Sequence, residues 1–236
     1  MGARRGSNDP MSFVFALGIF AIFIILAIIE DRRDKQRRRE IKNYCMKNNL
    51  EYHETAYNIP RIVNSFSLVK DRGHTNEWIV QMSGVRGEYN FYIFEHYSVS
   101  GSGKSRTVIT NTICVILKEG VDLPQFFIRD ENLILDSLGK LFGGQDINFT
   151  EDPVFSSKFV LQGKDEADIR NFFDSEKRRA FVSYHVNGYK YEGNADCFMT
   201  LLPGSHKVGE RLKLLSDAMS IFRELIPRDT RDEYLS

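Results

Sequence analysis

The sharpest chemical motif in the chain is Gly101-Ser102-Gly103-Lys104-Ser105, which matches the end of a phosphate-binding loop. Such a loop offers backbone N–H groups and a lysine to phosphate oxygens, and the N-terminus of a following helix completes it. The first glycine of the pattern would fall at position 98, which is Ser98. The residues after the motif, RTVITNTICVIL, are dense in β-branched side chains and read as a strand. The spacing therefore predicts a hairpin turn rather than a nucleotide site.

The remaining candidates are weaker. His53, His74, His96, His185 and His206 include no His-x-x-x-His pair, and Cys45, Cys114 and Cys197 give no Cys-x-x-Cys, so no metal site is expected. His96 beside Glu95 draws most interest, but neighbours on a strand point to opposite faces and would not act as a pair. A nucleophile elbow is approached at Ser98-Val99-Ser100-Gly101-Ser102-Gly103, where Ser stands in place of the first Gly. The carboxylate pairs Asp130/Glu131 and Asp165/Glu166 sit where helices should begin, and the helix dipole accounts for acids there. The aromatic run 89–97 lacks interleaved Arg and Lys, so it reads as core packing rather than a base-stacking platform. No catalytic, cofactor or metal residue emerges, and the chain is not expected to be an enzyme.

The elements that carry these residues follow an α+β pattern. Strands are expected at 50–54, 78–82, 89–99 and 106–117, with 126–129 as a fourth member of the meander. Pro60 suits the start of a short helix or turn. Asp130 should cap a helix over 131–142, whose apolar face is Ile134, Leu138 and Leu141 and whose stop is Gly143-Gly144. A strand at 159–161 and a short helix capped by Asp165 come next. Residues 179–186 and 195–202 read as two strands. The last helix is the clearest, because Val208, Leu212, Leu215, Met219, Phe222 and Ile226 recur at intervals of three and four. Ser205 should cap it and Pro227 should end it.

Residues 11–29, MSFVFALGIFAIFIILAII, contain no charge. At about 1.5 Å per residue they span roughly 28 Å, close to the hydrocarbon thickness of a bilayer. A signal peptide would have a shorter apolar region ending in small residues, and this run ends in Ala27-Ile28-Ile29-Glu30. A single transmembrane helix is expected, its lipid-facing side chains being Phe13, Val14, Phe15, Leu17, Ile19, Phe20, Ile22, Phe23, Ile24, Ile25, Leu26, Ile28 and Ile29. Residues 30–42 hold seven basic and four acidic side chains. Their cations, Arg32, Arg33, Lys35, Arg37, Arg38 and Arg39 among them, outnumber Arg4 and Arg5 on the other flank, which predicts the N-terminus outside and the rest in the cytoplasm. The same cations could touch anionic head groups. The odd, widely spaced cysteines fit a reducing compartment. Residues 43–236 carry 23 basic and 27 acidic side chains, a balance that argues against nucleic acid.

The chain also resembles a bacterial family of uncharacterised, predicted membrane-anchored proteins. The residues that carry the likeness are the 101–105 turn with its Thr112-containing strand and Phe127-Ile128-Arg129-Asp130-Glu131. With them go Leu138-Gly139-Lys140-Leu141-Phe142-Gly143-Gly144-Gln145-Asp146-Ile147-Asn148-Phe149, then Pro153-Val154-Phe155-Ser156-Ser157-Lys158-Phe159 and Gly163-Lys164-Asp165-Glu166. The likeness covers about residues 88–175 and departs at Phe94-Glu95-His96-Tyr97. It implies an N-terminal hydrophobic helix, a location in the bacterial inner membrane and no assigned activity.

The expected organisation is a short outer segment at 1–10, the anchor at 11–29 and a charged helix at 30–48. An α+β domain follows at 50–226, as one body or as two halves near 50–150 and 151–226, before a tail at 227–236. The expected role is an accessory or scaffold protein bound to the lipid bilayer and to a membrane-protein partner or a second copy of itself. A small-molecule or lipid-sensing module is the alternative, and an enzyme the second alternative.

Overall fold

The computed structural model describes residues 10–56, 59–69, 75–100, 107–131 and 146–226. The 101–105 turn, nearly all of the helix expected over 131–142, and the tail at 227–236 lie outside these residues. The chain divides into two compact units, 1–40 and 41–236.

Helix α1 runs Pro10–Lys47. Within the first unit its apolar side chains are exposed on every side, from 39 % at Ile29 to 74 % at Phe15. Lys35 pairs with Asp31, while Arg37 and Arg38 share Asp34. Among the described residues, no helix is long and apolar enough to cross a membrane. The helix expected at 11–29 is therefore present, while its spanning a bilayer is not established by the described residues. The side chain of Phe13 is not among those described.

The second unit is an α+β fold built on one antiparallel sheet. Its strands are β1 Glu51–Thr55, β2 Thr75–Arg86, β3 Tyr89–Ser100, β4 Thr107–Leu117, β5 Leu123–Asp130, β6 Phe159–Gly163, β7 Lys190–Ala195 and β8 Cys197–Pro203. Their order is β1-β2-β3-β4-β8-β7-β5-β6, and every pairing is antiparallel. The strand expected at 126–129 is present within β5, but β5 is not a neighbour of β4. Strand β8, buried from Cys197 to Leu201, takes the edge of β4 with Cys114 opposite Thr200. The Asp196 carboxylate accepts the Val121 N–H at 3.0 Å, so the link out of β4 is tied to the β7–β8 turn and β5 is carried beyond it.

Alternation along the strands makes two cores. Phe91, Ile93, Cys114, Ile116 and Phe198 face helices on one side. Phe94, Ile113, Val115, Met199 and Leu201 face the other, where a 3-10 turn at Arg61–Ser65 and Phe66 cover them. The helices are α2 Pro153–Lys158, α3 Glu166–Phe172, α4 Ser175–Tyr184 and α5 Val208–Leu225. Phe126 anchors the first core, meeting Phe173 edge-on at 4.9 Å, while Phe198 stacks on Phe222 at 5.8 Å.

Two local expectations are corrected. Residues 179–186 are mostly helix α4, not strand, because Asp174 caps the Glu176 and Lys177 N–H groups and Phe181 is buried on the helical face. Helix α2, capped by Asp152 on Phe155 N–H, was not visible in the periodicity. Ser205 does not cap α5, since its hydroxyl donates to Glu95, and Glu210 instead accepts the Lys207 N–H. Asp130 ends β5, and the helix it is expected to cap lies outside the described residues. Asp165 caps α3 as expected, accepting from Ala167 and Asp168.

Close packing leaves Gly193 no room, because a Cβ there would lie 2.3 Å from the Phe126 ring. Gly193→Ala should therefore cost about 1–3 kcal/mol through overpacking, read as a lowered midpoint in urea denaturation.

Candidate functional site

Chemistry requires polar groups that a substrate can reach, and three constellations of the described residues hold theirs in the interior. The tightest joins β3 to α5. Glu95 and Arg211 are both fully buried, and Arg211 Nη2 donates to Glu95 Oε1. Arg211 Nη1 also donates to the Val80 carbonyl at 2.9 Å, and its Nε to the His206 carbonyl at 3.0 Å. Ser205 Oγ donates to the second Glu95 oxygen at 3.3 Å. Val80 sits at a β-bulge with φ +54°, left-handed backbone that a β-branched residue rarely adopts. The bulge carries its carbonyl to the guanidinium. His96, next along the strand, is buried and shares a strand face with Phe94, opposite the face Glu95 uses, and burial pushes its pKa down to about 4.

A second constellation gathers Asp130, His185 and Tyr191. Asp130 Oδ1 lies 2.5 Å from His185 Nε2, and its Oδ2 accepts the Gly188 N–H at 2.7 Å. His185 Nδ1 is 3.2 Å from the Tyr191 hydroxyl. Burial lowers the His185 pKa, and the Asp130 charge opposes that shift. His185 Nε2 is buried beside the Asp130 carboxylate, and Nδ1 faces the hydroxyl of the fully buried Tyr191. This constellation fastens the loop before β7 to the end of β5.

The third lies on the opposite sheet face. The Glu192 carboxylate accepts Ser67 N–H and Ser67 Oγ, each at 2.8 Å, and Leu68 N–H at 3.0 Å. Burial raises its pKa against those three donors. It pins the segment after the 3-10 turn. Cys45, Cys114 and Cys197 are buried thiols, and burial pushes Cys45 up to about 11. Among the described residues, no group of three or more His, Cys, Asp or Glu is placed to hold a metal ion.

What faces outward is of another kind. Val14, Phe15, Leu17, Ile19, Phe20, Ile22, Phe23, Ile24, Ile25, Leu26, Ile28 and Ile29 expose apolar surface together. Of the basic residues beyond them, Arg32, Arg33, Lys35 and Arg39 are exposed, Arg38 is half-buried and Arg37 is buried. Two grooves of roughly 500 Å³ flank β1, and a smaller one of about 300 Å³ runs beside α4. The constellations at Arg211, His185 and Glu192 escape sequence reading because each joins residues more than fifty positions apart, the short-range exceptions being His185–Tyr191 and Arg211–His206. Arg211 did leave a signal, since it occupies a buried-stripe position four residues before Leu215.

No family model matches the chain, and no curated protein does. A solved structure with a similar fold is the crystal structure of the mycobacterial trehalose monomycolate transport factor A, TtfA, at a TM-score of 0.54 and 9 % identity. The match covers 81 % of this chain and 96 % of that one. At that identity the likeness is one of fold.

Two outcomes follow. Arg211→Met and Glu95→Leu should each cost about 3–5 kcal/mol, because each strands a buried partner, whereas the double variant Glu95→Leu/Arg211→Met should cost less than the sum. Urea denaturation of the four proteins checks this. His96, with a folded pKa below its unfolded value, stabilises the fold above about pH 6.5, and that contribution fades as pH falls toward 4. The destabilisation caused by His96→Gln should accordingly be larger at pH 7 than at pH 4.5.

Proposed function

We propose that this protein is a membrane-anchored accessory factor that presents its α+β unit to another membrane protein. The observation that carries the reading is the belt of exposed apolar side chains around α1 between positions 14 and 29. Water would penalise such a belt at about 25 cal/mol per Å2 of apolar surface, and lipid would not. The basic excess after the belt supports an N-terminus outside and the larger unit in the cytoplasm. We also propose that the chain belongs to the bacterial family of membrane-anchored proteins it resembles. The solved protein that shares its fold is named as a transport factor, which supports an accessory role without specifying cargo.

A head-group-sensing role has less support. Lys35, Arg37 and Arg38 are already matched by Asp31 and Asp34 on the same helix, so part of the cationic charge is spent internally.

Membranes from bacterial cells producing the full chain should retain it through alkaline carbonate extraction, and release into the supernatant would defeat the anchor. Met46→Cys, at an exposed position, should react with an impermeant maleimide only after the cells are permeabilised. Labelling of intact cells would reverse the orientation. A gently solubilised chain that runs as a bare monomer, with no co-purifying membrane protein, would remove the accessory role.

A further inference from the structure

In the interior the polar groups pair with one another, but around one cavity they do not. The cavity holds about 500 Å³, within the roughly 300–1,000 Å³ of small-molecule sites. Glu51 stands opposite Ser83, and Ser83 opposite Tyr92, so these three lining residues form one row across β1, β2 and β3. The row lies on the sheet face that Tyr92 shares with the second core. Val85 and Asn90 oppose each other in the next row of the same face. The turn that ends α1 adds Asn48 and Asn49, and Asn49 takes φ +54°, left-handed backbone that asparagine tolerates.

Among the described residues, the side chains of Asn49, Asn90 and Tyr92 make no hydrogen bond. Tyr92 is half-buried, where a phenol usually finds a partner. Asn48 donates its amide to the Tyr44 carbonyl at 2.8 Å, which leaves its own side-chain oxygen as an acceptor. Glu51 Oε2 accepts from Ser83 Oγ at 3.3 Å and lies 3.8 Å from His53 Nε2, so Oε1 is the oxygen left to accept. Gln81 Nε2 donates in turn to Ser83 Oγ at 3.1 Å, and this buried amide and hydroxyl orient the carboxylate.

Such groups select a ligand by class. Among the described residues none lining the cavity is basic, so a phosphate or carboxylate would meet no counter-charge. One exposed carboxylate holds an amine weakly. A side-chain amide offers donors and an acceptor together, which matches a hydroxyl group that does the same. Val85, 68 % exposed, and the Tyr92 ring place apolar surface among the polar groups, suited to the carbon–hydrogen faces of a sugar ring. We infer that this cavity binds a neutral saccharide, whose hydroxyls are held by Asn49, Asn90, Tyr92 and Glu51. The site goes beyond the accessory reading and does not depend on the anchor.

The test uses the full chain in a phosphocholine detergent, which carries no sugar. Saturation-transfer NMR should show contact with the ring protons of maltose, and calorimetric titration should saturate. Asn90→Ala, at an exposed position, should weaken binding about tenfold and Tyr92→Phe about threefold, with the thermal midpoint of Asn90→Ala in place. Dodecyl maltoside below its micellar concentration separates two sources of the same chemistry. Affinity equal to that of maltose assigns a free sugar, and tighter binding with the same loss in Asn90→Ala assigns a glycolipid head group. Absence of binding by maltose, sucrose and lactose would overturn the proposal. So would maltose binding that both variants leave unchanged, or glucose 6-phosphate binding more tightly than glucose. Because this assay needs no membrane, loss of the anchor in carbonate extraction would leave its result standing.

Discussion

Arg211 is a charge with no route to water, and the architecture around it is organised by that fact. Desolvating a guanidinium and a carboxylate costs several kcal/mol per ion even after relaxation, so the pair persists only where geometry and extra hydrogen bonds compensate. Here the compensation comes from three separate elements. Glu95 supplies the charge from the middle of β3, Val80 supplies a carbonyl from the bulge of β2, and His206 supplies another from the approach to α5. The left-handed backbone at Val80 and the displaced register of β2 make sense as consequences, since a regular strand would not turn that carbonyl to the guanidinium. An apolar contact tolerates sliding by a residue, but a three-partner guanidinium does not, so the pair fixes the seating of α5 on the first half of the sheet.

The same logic recurs with other chemistry. Glu192 holds the segment after the 3-10 turn to the opposite sheet face through three donors, and Asp130 holds the loop before β7 through Gly188 and His185. These groups resemble catalytic parts in type, yet their lone pairs and protons are turned inward. A buried carboxylate with three donors, or an imidazole held between a carboxylate and a phenol, contributes specificity of packing.

Such inward pairing also explains how much could be read from the sequence. Helix α5 and strands β3 and β4 were legible because each carries its pattern over ten or more residues, whereas of β2, Thr75–Arg86, only 78–82 stood out, its period being broken at the bulge. Helix α4 was not, because Phe181, Val182 and Val186 favour strands in isolation, and the decision lay with the Asp174 cap and the Phe181 pocket. Asp130 reads as a helix cap because an acid before an apolar run usually is one, and the helix it would cap lies outside the described residues. Its carboxylate also holds Gly188 and His185, more than fifty residues away, which no local pattern announces. The Glu95–Arg211 pair stood in between. Each half was an anomaly in plain view, a carboxylate inside an aromatic strand and an arginine on a buried stripe, but only the fold reveals that each resolves the other.

The likeness to a solved fold at 9 % identity belongs to the same argument. Little side-chain chemistry survives at that distance, so what the two proteins share is an arrangement of strands and helices. In this chain the arrangement is closed nearly everywhere. Both sheet faces are packed, the β6 edge is covered, and the ionic groups are paired inside. The apolar side chains of α1 between positions 14 and 29 are the contrasting case, exposed to the surroundings where those of the sheet are packed.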